Sequence, residues 1–268
     1  MYYPDHHVHS HFSPDSEALP EQHAETAILL GMPAICFTDH MDFDYPKRYN
    51  VTFDLHPAPY LDAMEKLRAQ YDGRISIRAG LEIGLEAGLR PKITDYILSS
   101  DWDFVIGSIH MAGRKDPYFE DYFEGRSTRD AYRAYFEDTL DCLSSFDPVF
   151  DVVGHLDYVL RNGNRSVTNA WKEWPDLMDE ILRLTVKKGL GLDINTGGIR
   201  KGLSFQHPHD DLLRRYRQLG GEIITFGSDA HAPGQLGYHF PETGERLKAL
   251  GFRYYASYQK RKPAFFPL

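Results

Sequence analysis

Short runs rich in Ile, Val and Phe alternate with helical stretches along the whole chain, and this alternation restricts the possible folds more than any other feature. The runs are AICFT (34–38), ISIRAGLEIG (75–84), FVIGSI (104–109), FDVVG (150–154), LGLDI (190–194) and EIITFG (222–227). Runs of this kind, apolar throughout and often closing near Gly or Asp, read as strands buried on both faces. Helical patterns separate them at 21–31, 59–71, 127–145, 176–189 and 210–220, with Gly189 and Gly220 where C-terminal caps are expected. With a first strand over 6–9, the count is seven strands. Strand–helix alternation gives a parallel sheet with right-handed crossovers, either open and doubly wound or closed as a barrel.

No repeat, low-complexity tract or linker interrupts the 268 residues, which read as a single domain over 1–268. No apolar run approaches the roughly 20 residues that cross a membrane. The N-terminus lacks the basic-then-apolar pattern of a signal sequence. Two cysteines, Cys36 and Cys142, are too few for a disulfide framework. Both read as buried thiols, and the expected location is the cytoplasm. A formal charge of −9 disfavours a long nucleic-acid partner. It leaves room for a small anionic substrate, because carboxylates that hold metals are neutralised by them.

The stretch DHHVHSHFSPDSE (5–17) holds four histidines within six positions, flanked by Asp5 and Asp15. In a strand, Asp5, His7, His9 and His11 share one face. The other strand ends repeat the theme. TDH gives Asp39 and His40, GLEIG gives Glu82, GSIH gives His110, GHLD gives His155, and GSDAH gives Asp229 and His231. A lone histidine after a strand is an ordinary loop residue, and a lone aspartate is an ordinary helix cap. Six of the 13 histidines at strand ends, on the rim where parallel strands point their carboxyl ends, are better explained by a metal site.

Taken in order from residue 7 to residue 231, these motifs resemble the PHP family, the polymerase and histidinol phosphatase superfamily. The C-terminal FRYYASYQKRKPAFFPL (252–268) is similar to the ending of its stand-alone histidinol-phosphate phosphatases. The resemblance implies a distorted seven-stranded (β/α)7 TIM-like barrel with a trinuclear metal centre of Zn, Fe or Mn at the C-terminal rim. His7, His9, Glu82 and Asp229 would hold the first ion, and Asp15, His40 and His231 the second. Glu82 would bridge to a third completed by His110 and His155. Asp15 stands where several family members have histidine, and an oxygen ligand there favours harder ions such as Mn or Fe. Asp5 is expected to orient an imidazole from behind, with His6 and His11 as bystanders.

Clustered metals suit hydrolysis of a phosphomonoester by a metal-bridging hydroxide, without a covalent intermediate. Arg161, Arg200 and Asn195, each just beyond a strand, are the expected substrate contacts. Asp157 is one candidate general acid, a water the other. The loops after the strands would select the substrate through Phe12, Asp42, Phe43, Tyr45, Tyr118 and Phe119. The family resemblance implies L-histidinol phosphate, an intermediate of histidine biosynthesis. A related phosphoesterase acting on nucleotides or short oligonucleotides is the alternative. An amidohydrolase fits less well, since no lysine ends a predicted strand. A non-catalytic metal module fits less well beside Arg161 and Arg200.

Overall fold

The computed structural model describes residues 3–268, and the apolar runs form its parallel strands. These are β1 (Asp5–Val8), β2 (Ala34–Phe37), the two-residue β3 (His40–Met41), β4 (Ser76–Gly84), β5 (Phe104–Ser108), β6 (Val152–Val153), β7 (Gly191–Asn195) and β8 (Ile224–Gly227). The sheet order is β1-β2-β4-β5-β6-β7-β8, every pair parallel, with β3 branching from β4. β1 and β8 then meet each other. Val8 bridges Ala230, the His9 amide donates to the Ala230 carbonyl at 2.8 Å, and the Asp229 amide donates to the His7 carbonyl at 2.9 Å. These contacts bring the two ends of the seven-stranded path together, so the sheet forms a nearly closed barrel and not an open sheet.

Among the described residues, nine α-helices surround it: α1 (Pro20–Leu29), α2 (Pro57–Gln70), α3 (Arg90–Leu98), α4 (Thr128–Ser145), α5 (Ala170–Glu173), α6 (Pro175–Lys187), α7 (Gly197–Arg200), α8 (Asp210–Gln218) and α9 (Phe240–Ala249). α4 shows how the sequence sets one. Ser127 caps it by accepting from the Asp130 amide, and Ala131, Tyr132, Tyr135, Phe136, Thr139, Cys142 and Leu143 then fall on one buried face. Gly189 and Gly220, just past α6 and α8, take φ of 69° and 93°, a conformation glycine reaches without a Cβ penalty. Cys36 and Cys142 are both buried. Among the described residues, no helix is long and apolar enough to cross a membrane.

Besides the short β3, α5 and α7, the sequence reading lacks α3, α9 and a C-terminal hairpin. α3 and α9 bury only Ile93 and Ile97, and Phe240, Thr243, Gly244 and Leu247, patterns too sparse to stand out beside Pro91, Pro241 and Gly244. The hairpin is formed by β9 (Tyr254–Gln259) and β10 (Lys262–Pro267), turning through Lys260 and Arg261 at positive φ. Ala256 and Tyr258 enter a small core with Cys36, Phe104, Ile106 and Val152. The Lys260 amide donates to Asp103 Oδ1 and Arg261 Nε to Asp151 Oδ2, residues that immediately precede β5 and β6. The hairpin therefore plugs the end of the barrel opposite the strand termini that carry the histidines.

Candidate metal centre

Glu82, near the end of β4, is fully buried, and both its oxygens face imidazoles. Oε2 lies 3.1 Å from His7 Nε2, 3.4 Å from His9 Nε2 and 3.1 Å from His40 Nδ1. Oε1 lies 2.9 Å from His155 Nε2 and 3.2 Å from His110 Nε2, and accepts from Ser108 Oγ at 2.6 Å. Asp229 adds Oδ1 at 3.5 Å from His9 Nε2. Toward solvent, Asp15 Oδ2 is 3.0 Å from His231 Nε2 and 3.6 Å from His40 Nε2. All nine side chains nominated from the sequence as ligands meet in this one cluster.

The donor set fits divalent cations. His7 Nε2, His9 Nε2, His40 Nδ1 and Glu82 Oε2 are buried and make no hydrogen bond, although they point at one another. Each such orphan costs about 1–3 kcal/mol unless something satisfies it. Four triads, His7–His9–Glu82, His9–His40–His231, Glu82–His110–His155 and His40–Asp42–His110, each bring their ligand atoms within 4.8 Å of one another. Protonation agrees. Burial pushes the His9 and His40 imidazoles down to about 4, which leaves their lone pairs free at neutral pH. Burial alone would raise the Glu82 carboxyl, yet His7, His40 and His110 hold it well below the usual range. The His7 ring, which burial alone would depress, is held high by Glu82 and Asp193.

Carboxylates and carbonyls behind the cluster fix the rings. His7 Nδ1 lies 2.8 Å from Asp193 Oδ2, His110 Nδ1 lies 2.7 Å from Asp42 Oδ1, and His231 Nδ1 lies 3.0 Å from the Asp229 carbonyl. The sequence reading missed Asp193 in this role. Its signal was the one charge inside the buried run LGLDI, since a charge in a doubly covered strand needs a partner. Asp42 was expected among the substrate-selecting residues. It does line the pocket, but Oδ1 is committed to His110.

Several expectations need correction. Asp5 orients no imidazole ring. It accepts from the Ser228 amide and hydroxyl and from the Gly237 amide, tying β1 to the end of β8. His6 is no bystander. Register shifts between Asp5 and Val8, and His6 reaches the hairpin, where Nε2 accepts from the Tyr258 amide at 3.2 Å beside Arg78. His11 is exposed, as a bystander would be. Asn195 was expected to touch substrate, but it is fully buried and does not line the pocket. Its Nδ2 donates to Asp193 Oδ2 and its Oδ1 accepts from the Gly197 amide. Asp157, the candidate acid, also faces away, toward His207 and His209. Phe12 packs on Tyr60 and Phe43 on Tyr96, both off the pocket.

A cavity of about 450 Å³ opens over the cluster. Its charge is segregated. Arg161, Arg200 and Lys201 enter from the loops after β6 and β7, whereas Tyr45, Tyr49, Phe53, Asp116, Tyr118 and Phe119 enter from those after β3 and β5. Lys201 was not foreseen. Arg161 Nη1 is 3.4 Å from Asp229 Oδ2, with its guanidinium 4.1 Å over the Tyr158 ring, and Arg200 donates to the Ser228 and Asp229 carbonyls at 2.6 Å each. The acidic side is laced together by Tyr45, whose hydroxyl donates to Asp116 Oδ2 at 2.5 Å, and by Tyr49 stacked on Phe119 at 4.1 Å.

A barrel whose rim gathers histidines and carboxylates around one bridging glutamate is the architecture of a metal-dependent hydrolase. The chain belongs to the PHP domain family, whose sequence profile matches residues 5–197. The histidinol-phosphatase of Lactococcus lactis is 34% identical over 262 residues, covering 96% of this chain and 95% of its own. A relative from Deinococcus radiodurans is 30% identical, covering 93% of this chain and 94% of its own. The crystal structure of the Lactococcus lactis histidinol phosphate phosphatase, complexed with zinc, L-histidinol and phosphate, matches with a TM-score of 0.86 at 33% identity, covering 97% of this chain and 98% of that one.

Proposed function

We propose that this chain is a histidinol-phosphatase that hydrolyses L-histidinol phosphate to L-histidinol and inorganic phosphate. The observation that carries the reading is the charge segregation of the cavity above a cluster of metal-capable side chains. His7, His9, Glu82 and Asp229 would hold one ion, Asp15, His40 and His231 a second, and His110 and His155 a third shared with Glu82. Zn, Fe and Mn all suit a mixed imidazole and carboxylate set. When bound, such ions supply Lewis acidity toward phosphoryl oxygens and make water a better nucleophile.

The chain's own residues do the rest. Arg161, Arg200 and Lys201 meet the phosphate and offset its charge as the ester bond breaks. Asp116 and the rings around it meet the ammonium and imidazole of the leaving alcohol. The cavity volume lies within the range of small-molecule sites. An acidic, aromatic end suits a cationic alcohol better than a nucleoside.

The test has two parts. Elemental analysis of protein purified without chelator should find two to three ions of Zn, Fe or Mn per chain. Among histidinol phosphate, an aryl phosphate, a nucleoside monophosphate and a sugar phosphate, histidinol phosphate should lead in kcat/KM by about 100-fold or more, equivalent to roughly 2.7 kcal/mol of differential transition-state binding. A nucleotide turning over as fast overturns the substrate and leaves the phosphoesterase standing.

A further inference from the structure

Asp157 and His207 lie 50 positions apart in sequence, are both fully buried, and are absent from the cavity wall. Asp157 Oδ1 is 2.6 Å from His207 Nδ1, and Oδ2 accepts from the His209 amide at 2.9 Å. Both carboxylate oxygens are therefore committed away from the reaction. The residue after Asp157 begins the helical turn Tyr158–Arg161, which ends in Arg161. His207 pairs with Asn195 through both backbone groups, at 2.8 and 2.7 Å, where β7 ends and the chain turns into α7. Its ring sits against that turn: a Cβ on Gly198 would come within 2.9 Å of Cδ2 and Nε2. α7 ends in Arg200.

We propose that the Asp157–His207 pair is the positioning element that sets the two arginine-bearing turns of the pocket relative to each other. The pair spans the start of one turn and the underside of the other, while Arg161 and Arg200 themselves converge on Asp229 from those turns. Apolar side chains would fill the same space at no loss of stability, whereas a carboxylate bonded to one ring nitrogen fixes an orientation. The pair thereby holds both guanidinium groups at one spacing, so that a single phosphate meets both. This inference rests on the reading that the arginines bind phosphate.

The experiment measures KM for histidinol phosphate and the inhibition constant of inorganic phosphate in metal-loaded protein. His207→Asn keeps an amide nitrogen near the place of Nδ1, and His207→Gln moves it to the place of Nε2. His207→Gln should raise both constants about tenfold with metal content unchanged, and His207→Asn should stay within about threefold of the parent. In an Arg200→Met background, His207→Gln should add less than about twofold, because its effect runs through the arginine turns. Equal effects of Asn and Gln, or a full tenfold effect persisting beside Arg200→Met, overturn the inference. If Arg200→Met weakens phosphate and His207→Gln does not, the inference alone fails. If Arg200→Met leaves phosphate binding unchanged, the phosphate reading fails and the inference with it.

Discussion

Asp193 Oδ2 lies 2.8 Å from Nδ1 of His7, so the opposite nitrogen of that ring, Nε2, is the one turned toward Glu82. The contact is fully buried on both sides and joins residues 186 positions apart. Asp193→Asn keeps the size and removes the charge. Loss of such an outer partner typically costs 10–100-fold in metal affinity, and a chelator competition at neutral pH should show a loss of that order. Affinity equal to the parent's would mean that packing alone orients His7.

Arg161 is held between Asp229 and the Tyr158 ring, with its guanidinium on the cavity wall. Arg161→Met keeps the stem and removes the charge-assisted donors, each worth about 1.5–3 kcal/mol. kcat/KM for histidinol phosphate should fall at least about tenfold while metal content stays at the parent's level. Unchanged kinetics would return Arg161 to a structural role.

His23, on α1, is buried against Phe37, and burial pushes its imidazole down to about 4. The unfolded chain takes up a proton there near pH 6.5, before the folded chain does. The unfolded state thus binds more protons between those values, and stability falls as pH drops from 6.5 toward 4, by roughly 1.4 kcal/mol per pH unit from this one group. His23→Met removes the group. Melting temperatures at pH 7 and pH 5 should differ less in His23→Met than in the parent. An equal difference would show that His23 does not contribute to acid sensitivity.

His6 links the barrel to the hairpin that plugs it. His6→Leu leaves the buried Tyr258 amide without its acceptor and removes the imidazole beside Arg78. The expected cost is about 1–3 kcal/mol, or several degrees of melting temperature in a domain of this size. kcat should hold, since the change is at the far end of the barrel. A variant as stable as the parent would mean that the hairpin is seated by apolar contacts alone.

The strand–helix alternation and the side chains at one rim were legible in the sequence by itself, whereas the barrel came from the family resemblance and closed only where β1 meets the end of β8. A parallel strand has one direction, so side chains within a few positions of its carboxyl end can reach the same rim. That is why His7, His9, His40, Glu82, His110, His155, Asp229 and His231 could be assigned to one cluster before their distances were known. What lies behind the rim did not follow. His6 and His7 are neighbours, yet one faces the hairpin and the other Glu82, because the register shifts between Asp5 and Val8. Asp157 stands two residues past His155 and turns away from the cavity, held by residues 207 and 209. Asp193 stands out as the one charge in a buried run, but the run does not name its partner, and Asp42 and Lys201 have local sequences like those of ordinary charges. The partners of Asp193 and Asp42 lie on or just past other strands, and such contacts depend on register, turn direction and loop path. Those are fixed only when the whole sheet has closed and the side chains have found their lowest-energy packing, so the tertiary structure alone decided them.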